Sequence, residues 1–168
     1  MTTPDTAADT APEIASLTPG AMAPDFTLPR DGGENVHLQA LRGKPVVLYF
    51  YPKDDTPGCT LEAQDFTRLI PDFAALGATV FGISKDSVKK HEKFCKKHGL
   101  GIALLSDEGG QVCETYGVWK EKQMYGKTYL GIERTTVLID ATGKIARIWP
   151  KVSVTGHAED VLAATKEL

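Results

Sequence analysis

A chain of 168 residues, 42% hydrophobic and 24% charged, is long enough to bury a full core and reads as one globular domain. Its 19 basic and 22 acidic side chains leave a formal net charge of -3, too balanced to point to nucleic acid as a partner. No apolar run approaches the roughly 20 residues of a membrane span, and three cysteines without a CxxC spacing indicate neither a disulfide framework nor a zinc site.

Residues 1 to 15 are rich in Thr, Ala, Asp and Pro. They lack the basic start and apolar centre of a secretory signal and the arginines of a transit peptide. A disordered tail over 1–18 is expected, followed by a domain over 19–168, in a reducing cytoplasm.

Residues 23 to 29 alternate apolar and polar side chains, Asp31-Gly32-Gly33 turns the chain, and Val36-His37-Leu38 follows, which predicts a β-hairpin. Leu41 to Pro45 is a loop into the apolar run Val46 to Tyr51, a buried strand. A helix should run from Cys59 to about Leu76, with Pro71 kinking it or starting a new turn and Gly77 stopping it. Thr79 to Ser84 is a second strand. Strand, helix and strand in this order predict a parallel pair with a right-handed crossover.

Ser84 to Ser87 caps a helix from Val88 to about His98, closed by Gly99. Ile102 to Ser106 is a short strand, and Asp107 to Tyr116 a short helix. Gly117 to Gly131 is loop-like and holds Trp119, Tyr125 and Tyr129. Trp119 and Tyr125 are read as loop packing rather than as a site entrance. Arg134 to Asp140 and Lys144 to Trp149 form a second hairpin across Ala141-Thr142-Gly143. A terminal helix opens at Gly156 and buries Val161, Leu162 and Ala164 or Thr165. This order is that of an α/β thioredoxin-like fold with an added N-terminal β-hairpin.

The chemistry centres on Cys59. Pro52 ends the strand, Pro57 and Gly58 force a turn, and the sulfur arrives where a helix begins. Unpaired N–H groups and the partial positive charge there favour thiolate over thiol. Three readings compete: a buried structural cysteine, a dithiol reductase, and a lone nucleophile attacking a small oxidant. The reductase wants a second sulfur three residues on, where the residue is Glu62. Glu62 caps its own helix or pairs with a nearby cation. His37, His91, His98 and His157 show no metal spacing, and His91 and His98 read as helix-surface residues.

Pro52-Lys53-Asp54-Asp55-Thr56-Pro57-Gly58-Cys59 matches the Pro-x-x-x-Thr-x-x-Cys signature of peroxiredoxins, and its extension through Ala63 resembles the bacterioferritin comigratory protein (PrxQ) subfamily. The resemblance continues through Gly82-Ile83-Ser84, Leu104-Leu105-Ser106-Asp107, Tyr116-Gly117-Val118-Trp119 and the late strand led by Arg134. It implies a thiol-dependent peroxidase in which Pro52, Thr56, Cys59 and Arg134 act together. Thr56 turns its hydroxyl toward sulfur and peroxide, the N–H groups of Cys59 and Gly58 donate to the peroxide, and Arg134 supplies positive charge. Pro52 shields the pocket. No metal, haem or flavin is implied. The partners implied are a hydroperoxide and thioredoxin or a similar dithiol, and the state implied is a monomer.

Many members of that subfamily carry a resolving cysteine five residues after the nucleophile, where this chain has Gln64. The role passes to Cys95, to Cys113 or to an outside thiol. Cys95 is preferred, because a subgroup resembling this chain carries its resolving cysteine on the same helix, while Cys113 resembles a cysteine without that role. Five lysines around Cys95 (89, 90, 93, 96 and 97) favour its thiolate, and the residue should be half-buried. Disulfide bonding needs Cα atoms within roughly 7 Å; a helix-start cysteine and one on the following helix are expected to lie farther apart than that in the reduced form, so the first turns of both helices are expected to loosen during turnover. The Lys-rich helix reads as a solvated face ahead of a reductant-docking one. A thiol-disulfide oxidoreductase and a non-enzymatic chaperone on the same fold are the rival functions.

Overall fold

The computed structural model describes residues 17–168. The expected tail therefore lies, apart from its last two residues, outside the described residues.

The N-terminal hairpin pairs β1 (Thr27–Pro29) with β2 (Asn35–His37) in antiparallel register. The central sheet follows from β3 (Val46–Phe50), β4 (Thr79–Ser84), β5 (Ala103–Ser106), β8 (Thr135–Ile139) and β9 (Ile145–Trp149), in the order β5-β4-β3-β8-β9. β3, β4 and β5 are parallel to one another, and β8 and β9 add antiparallel partners. This is the thioredoxin-like sheet, with the extra hairpin at its N-terminal side.

The helices are α1 (Pro57–Arg68), α2 (Ile70–Ala75), α3 (Val88–His98), α4 (Gln111–Thr115) and α5 (His157–Lys166). The break between α1 and α2 falls at Leu69, and Pro71 takes the first turn of α2, where its missing N–H has no bond to lose. Ser87 caps α3 by accepting from the Lys90 N–H, and Gly99 closes it in the left-handed region at φ 61°. α4 begins four residues later than expected, because the Asp107 carboxylate accepts from the N–H groups of Val112 and Cys113 across an intervening turn.

β3 is buried on both faces, as a central strand must be. Val46, Leu48 and Phe50 face a cluster that includes Phe26, Leu28, Cys113 and Tyr116. Val47, Tyr49 and Tyr51 face a second cluster that includes Cys59, Phe66, Phe73, Phe94 and Val161. Alternation along one strand thus separates Cys59 from Cys113 by the thickness of the sheet.

One expectation fails outright. Residues 117 to 131 were expected to be loop-like, yet β6 (Trp119–Met124) and β7 (Lys127–Ile132) form a six-pair antiparallel hairpin. Most of its side chains are exposed, so no apolar-polar alternation marks the strands. Its turn is Tyr125-Gly126, with φ of 52° and 77°, the pair of left-handed residues a two-residue hairpin requires.

Candidate active site

Beyond β3 the Tyr51 N–H still bonds the Ile83 carbonyl, and at Pro52 the chain leaves the sheet. Residues 52 to 56 make a tight loop in which Asp55 takes φ 62°, unusual for a residue with a side chain. Thr56 is extended and Pro57 begins α1, so Cys59 stands in its first turn. Thr60 makes the first intrahelical bond, to the Thr56 carbonyl at 2.8 Å. The N–H groups of Gly58 and Cys59 precede it and are not used by the helix. A Cβ on Gly58 would stand 3.3 Å from Arg134 Nη2, so glycine here lets the guanidinium approach the turn.

Arg134 lies between β7 and β8, its carbonyl held by the Val152 N–H at 2.9 Å. Its fork reaches two acceptors: Nη2 donates to Cys59 Sγ at 3.3 Å and Nη1 to Glu62 Oε1 at 2.6 Å. Glu62 is one turn beyond Cys59 on α1, so both side chains leave the helix on one face. The expectation that Glu62 pairs with a cation holds, and the cation is Arg134. Burial pushes the Glu62 carboxyl up to about 7 against the opposing pull of Arg134, and its second oxygen has no partner among the described residues. Burial works against the charge of Arg134 as well, but Glu62 and Cys59 outweigh it and raise the guanidinium above its ordinary value.

Cys59 itself is only 1% exposed. The expected nucleophile is therefore covered, with Gly58 exposed and Thr56 and Arg134 half-buried at its margin. The Thr56 hydroxyl, expected to face the sulfur, donates instead to the Lys53 carbonyl at 3.0 Å. Its oxygen keeps lone pairs for a hydrogen arriving from a substrate. Pro52 is half-buried and lines an open groove with Trp119, Tyr129, Leu130 and Ile132. Trp119, with the Lys85 ammonium 3.9 Å over its ring, is thus nearer the site than loop packing suggested. Tyr125, at the hairpin tip, is 97% exposed.

Cys95 is half-buried, as expected, at the edge of the cluster that holds Cys59. The lysines do not favour its thiolate. Burial, then Asp31 and Asp54, push the Cys95 thiol up to about 12. On a helix, positions 90, 93 and 97 lie nearly opposite position 95, so those charges face water on the far side. Cys113 is fully buried in the other cluster, and burial together with Asp107 raises its thiol far above the ordinary range.

The reading of His91 as a helix-surface residue is wrong. It is completely buried, with Nδ1 2.7 Å from Asp54 Oδ2 and Nε2 2.9 Å from the Leu105 carbonyl. Tyr51 donates to Asp54 Oδ1 at 2.5 Å, and the Asp54 N–H donates to Asp86 Oδ2 at 2.8 Å. The signal was present in the spacing: Val88, His91 and Phe94 recur every three residues on the inner stripe of α3. His98 does lie near the surface, where it and Lys97 each meet the Asp55 carboxylate at 2.8 Å.

The description of the AhpC/TSA family matches residues 19–148. A putative peroxiredoxin bcp of Coxiella burnetii is 54% identical over 147 residues, covering 88% of this chain and 97% of that one. A structure of the Xanthomonas campestris bacterioferritin comigratory protein, studied for alkyl peroxide reduction, superposes with a TM-score of 0.83 at 46% identity, covering 91% and 98% of the two chains. Two structures of X. campestris peroxiredoxin Q, at 47% identity and TM-score 0.83 over 92% and 98% of the chains, each replace one cysteine by serine. Those two positions are as far apart in sequence as Cys59 and Cys95. With a covered sulfur at a helix start under an arginine fork, and with such similarity to these proteins over nearly its whole length, the chain belongs to the AhpC/TSA family, as a peroxiredoxin of the bacterioferritin comigratory (peroxiredoxin Q) kind.

Proposed function

We propose that the chain is a thiol-dependent peroxidase whose nucleophile is Cys59. The observation that carries this is the Arg134 fork, which holds a permanent cation 3.3 Å from Sγ beside two unused helix N–H groups. The thiolate attacks one oxygen of a hydroperoxide. The O–O bond breaks, the other oxygen leaves with a proton as water or an alcohol, and Cys59 becomes a sulfenic acid. Gly58 and Cys59 N–H groups and Arg134 stabilise charge on the peroxide oxygens, and Thr56 accepts from the peroxide hydroxyl. Pro52 keeps water from the approach. With Cys59 only 1% exposed, peroxide enters past Gly58, Thr56 and Arg134 or as the first turn of α1 loosens.

We assign the resolving role to Cys95. Its thiol condenses with the sulfenic acid, releasing water and leaving a Cys59–Cys95 disulfide, which thioredoxin or a similar dithiol returns to two thiols. Three features support Cys95 over Cys113: its position on the Cys59 side of the sheet, its partial exposure, and the matching spacing of the cysteines replaced in the X. campestris variants. A dithiol reductase is disfavoured because position 62 is a buried glutamate engaged by Arg134. The working unit proposed is one domain over 19–168, a monomer on the family resemblance alone, with a reducing cytoplasm as its default setting.

Stopped-flow oxidation of the reduced protein by hydrogen peroxide and by an alkyl hydroperoxide tests the first step. The fast phase is expected in the wild type and absent in Cys59→Ser. Cys95→Ser is expected to keep that phase, to form no mapped disulfide and to stop turning over with a protein dithiol. Undiminished turnover by Cys95→Ser would remove Cys95 from the mechanism.

A further inference from the structure

We infer that His91 and Asp54 form a buried latch clamping the Cys59 loop onto the Cys95 helix, and that release of this latch gates the resolving step. The inference rests on the assignment of Cys95 above.

The two residues sit on the two segments that must move. Asp54 is five residues before Cys59 in the loop leaving β3, and His91 is one helical turn before Cys95 on the same inner side of α3. Both ring nitrogens of His91 meet oxygens. Nε2 faces a carbonyl, which only accepts, and Nδ1 faces a carboxylate that also receives the Tyr51 hydroxyl proton. Two acceptors require two donors, so the closed latch holds an imidazolium against a carboxylate, both out of water.

The groups facing His91 come from every element around it. Asp54 comes from the loop and the Tyr51 hydroxyl, 3.5 Å from Nδ1, from the end of β3. Asp86 follows β4 and ties to the Asp54 N–H and the Ser84 hydroxyl. β5 offers only the uncharged Leu105 carbonyl. Negative groups predominate, and although burial opposes the charge, the bonds to Asp54 outweigh it and raise the His91 pKa. Asp55, next in the loop, is tied to Lys97 and His98 of the same helix, but at an exposed site where such pairs contribute little.

Cys95 cannot leave the packed helix without the preceding turn, so its approach to Cys59 draws His91 out of its site and strands Asp54. The proton sets the sign. Below the ordinary histidine range, about pH 6.5, His91 is charged whether the latch is closed or open. As pH rises from there through the raised value, the open form gives up the proton first. The latch weakens with a slope of up to about tenfold in the opening equilibrium per pH unit. Above that value its proton-linked part is gone. Opening, and with it disulfide formation, is therefore held back at low pH and released as pH rises.

Hydrogen exchange of the reduced protein reads this without cysteine chemistry. Amide protection across α3, corrected for intrinsic exchange and referenced to α5, is expected to fall with pH above about 6.5. α5 serves as reference because burial holds its His157 down at about 4. The fall should persist in Asp55→Asn, which removes the exposed tie, and vanish in His91→Gln. In His91→Gln the step from sulfenic acid to disulfide should quicken by about tenfold or more at pH 6, with the peroxide step unchanged. Flat protection in the wild type, or a slope lost in Asp55→Asn, would overturn the latch, and both measurements stand even if His91→Gln does not fold. A resolving step no faster in a folded His91→Gln would overturn the gating. Absence of a mapped Cys59–Cys95 disulfide would overturn the Cys95 assignment instead, leaving the exchange result to judge the latch.

Discussion

Arg134 divides one planar guanidinium between a sulfur and a carboxylate, and lysine cannot make that division. Arg134→Lys is expected to slow the peroxide step by about 10²–10³-fold, read by stopped flow at neutral pH, with the fold intact by circular dichroism. Glu62 carries the other half of the fork. Its carboxyl titrates near 7 in the folded chain against an ordinary value of 4.5, so the folded state holds the proton more tightly. That contribution to stability is fully present below about pH 4.5 and is lost as pH rises toward 7. Glu62→Gln does not titrate, so urea unfolding should show the variant gaining about 1–3 kcal/mol relative to wild type between pH 5 and pH 8. The identities of these residues were legible from the motif. The partner of Glu62 was not, because 72 residues separate it from Arg134 and only the crossing of α1 over the sheet joins them.

Among the elements, β3 and α1 were read correctly because an apolar strand, a proline and a helix-starting turn leave strong local signals. β4 packs as closely as its glycine allows. A Cβ on Gly82 would stand 2.7 Å from Tyr49 Cζ and 2.8 Å from Leu104 Cδ2, with both neighbours fully buried. Gly82→Ala is expected to destabilise the protein by about 1–3 kcal/mol in urea unfolding, through overpacking alone. The β6–β7 hairpin escaped notice for the opposite reason. Its strands carry charge on both faces and bury little, so pairing and the Tyr125-Gly126 turn define it rather than a hydrophobic period. It still matters to the site, since Trp119, Leu130 and Ile132 form one wall of the groove beside Pro52.

At the scale of the molecule the sheet sorts the three thiols, two toward one face and one toward the other. Cys113→Ser is accordingly expected to leave peroxide turnover with a dithiol unchanged, in a steady-state assay where Cys95→Ser fails. From the sequence came the strands of the central sheet, the helices between them, the turn that delivers Cys59 to a helix start, and the residues available to surround it, but not the β6–β7 hairpin. Those are local matters of periodicity, proline, glycine and capping, which act within a few residues. Only the folded chain settles that Cys59 is covered, that Glu62 meets Arg134, that burial and Asp31 rather than the lysines of its helix govern Cys95, and that His91 is sunk against Asp54. Each of these depends on desolvation and on contacts between segments far apart in the chain, and neither exists until the sheet has brought those segments together.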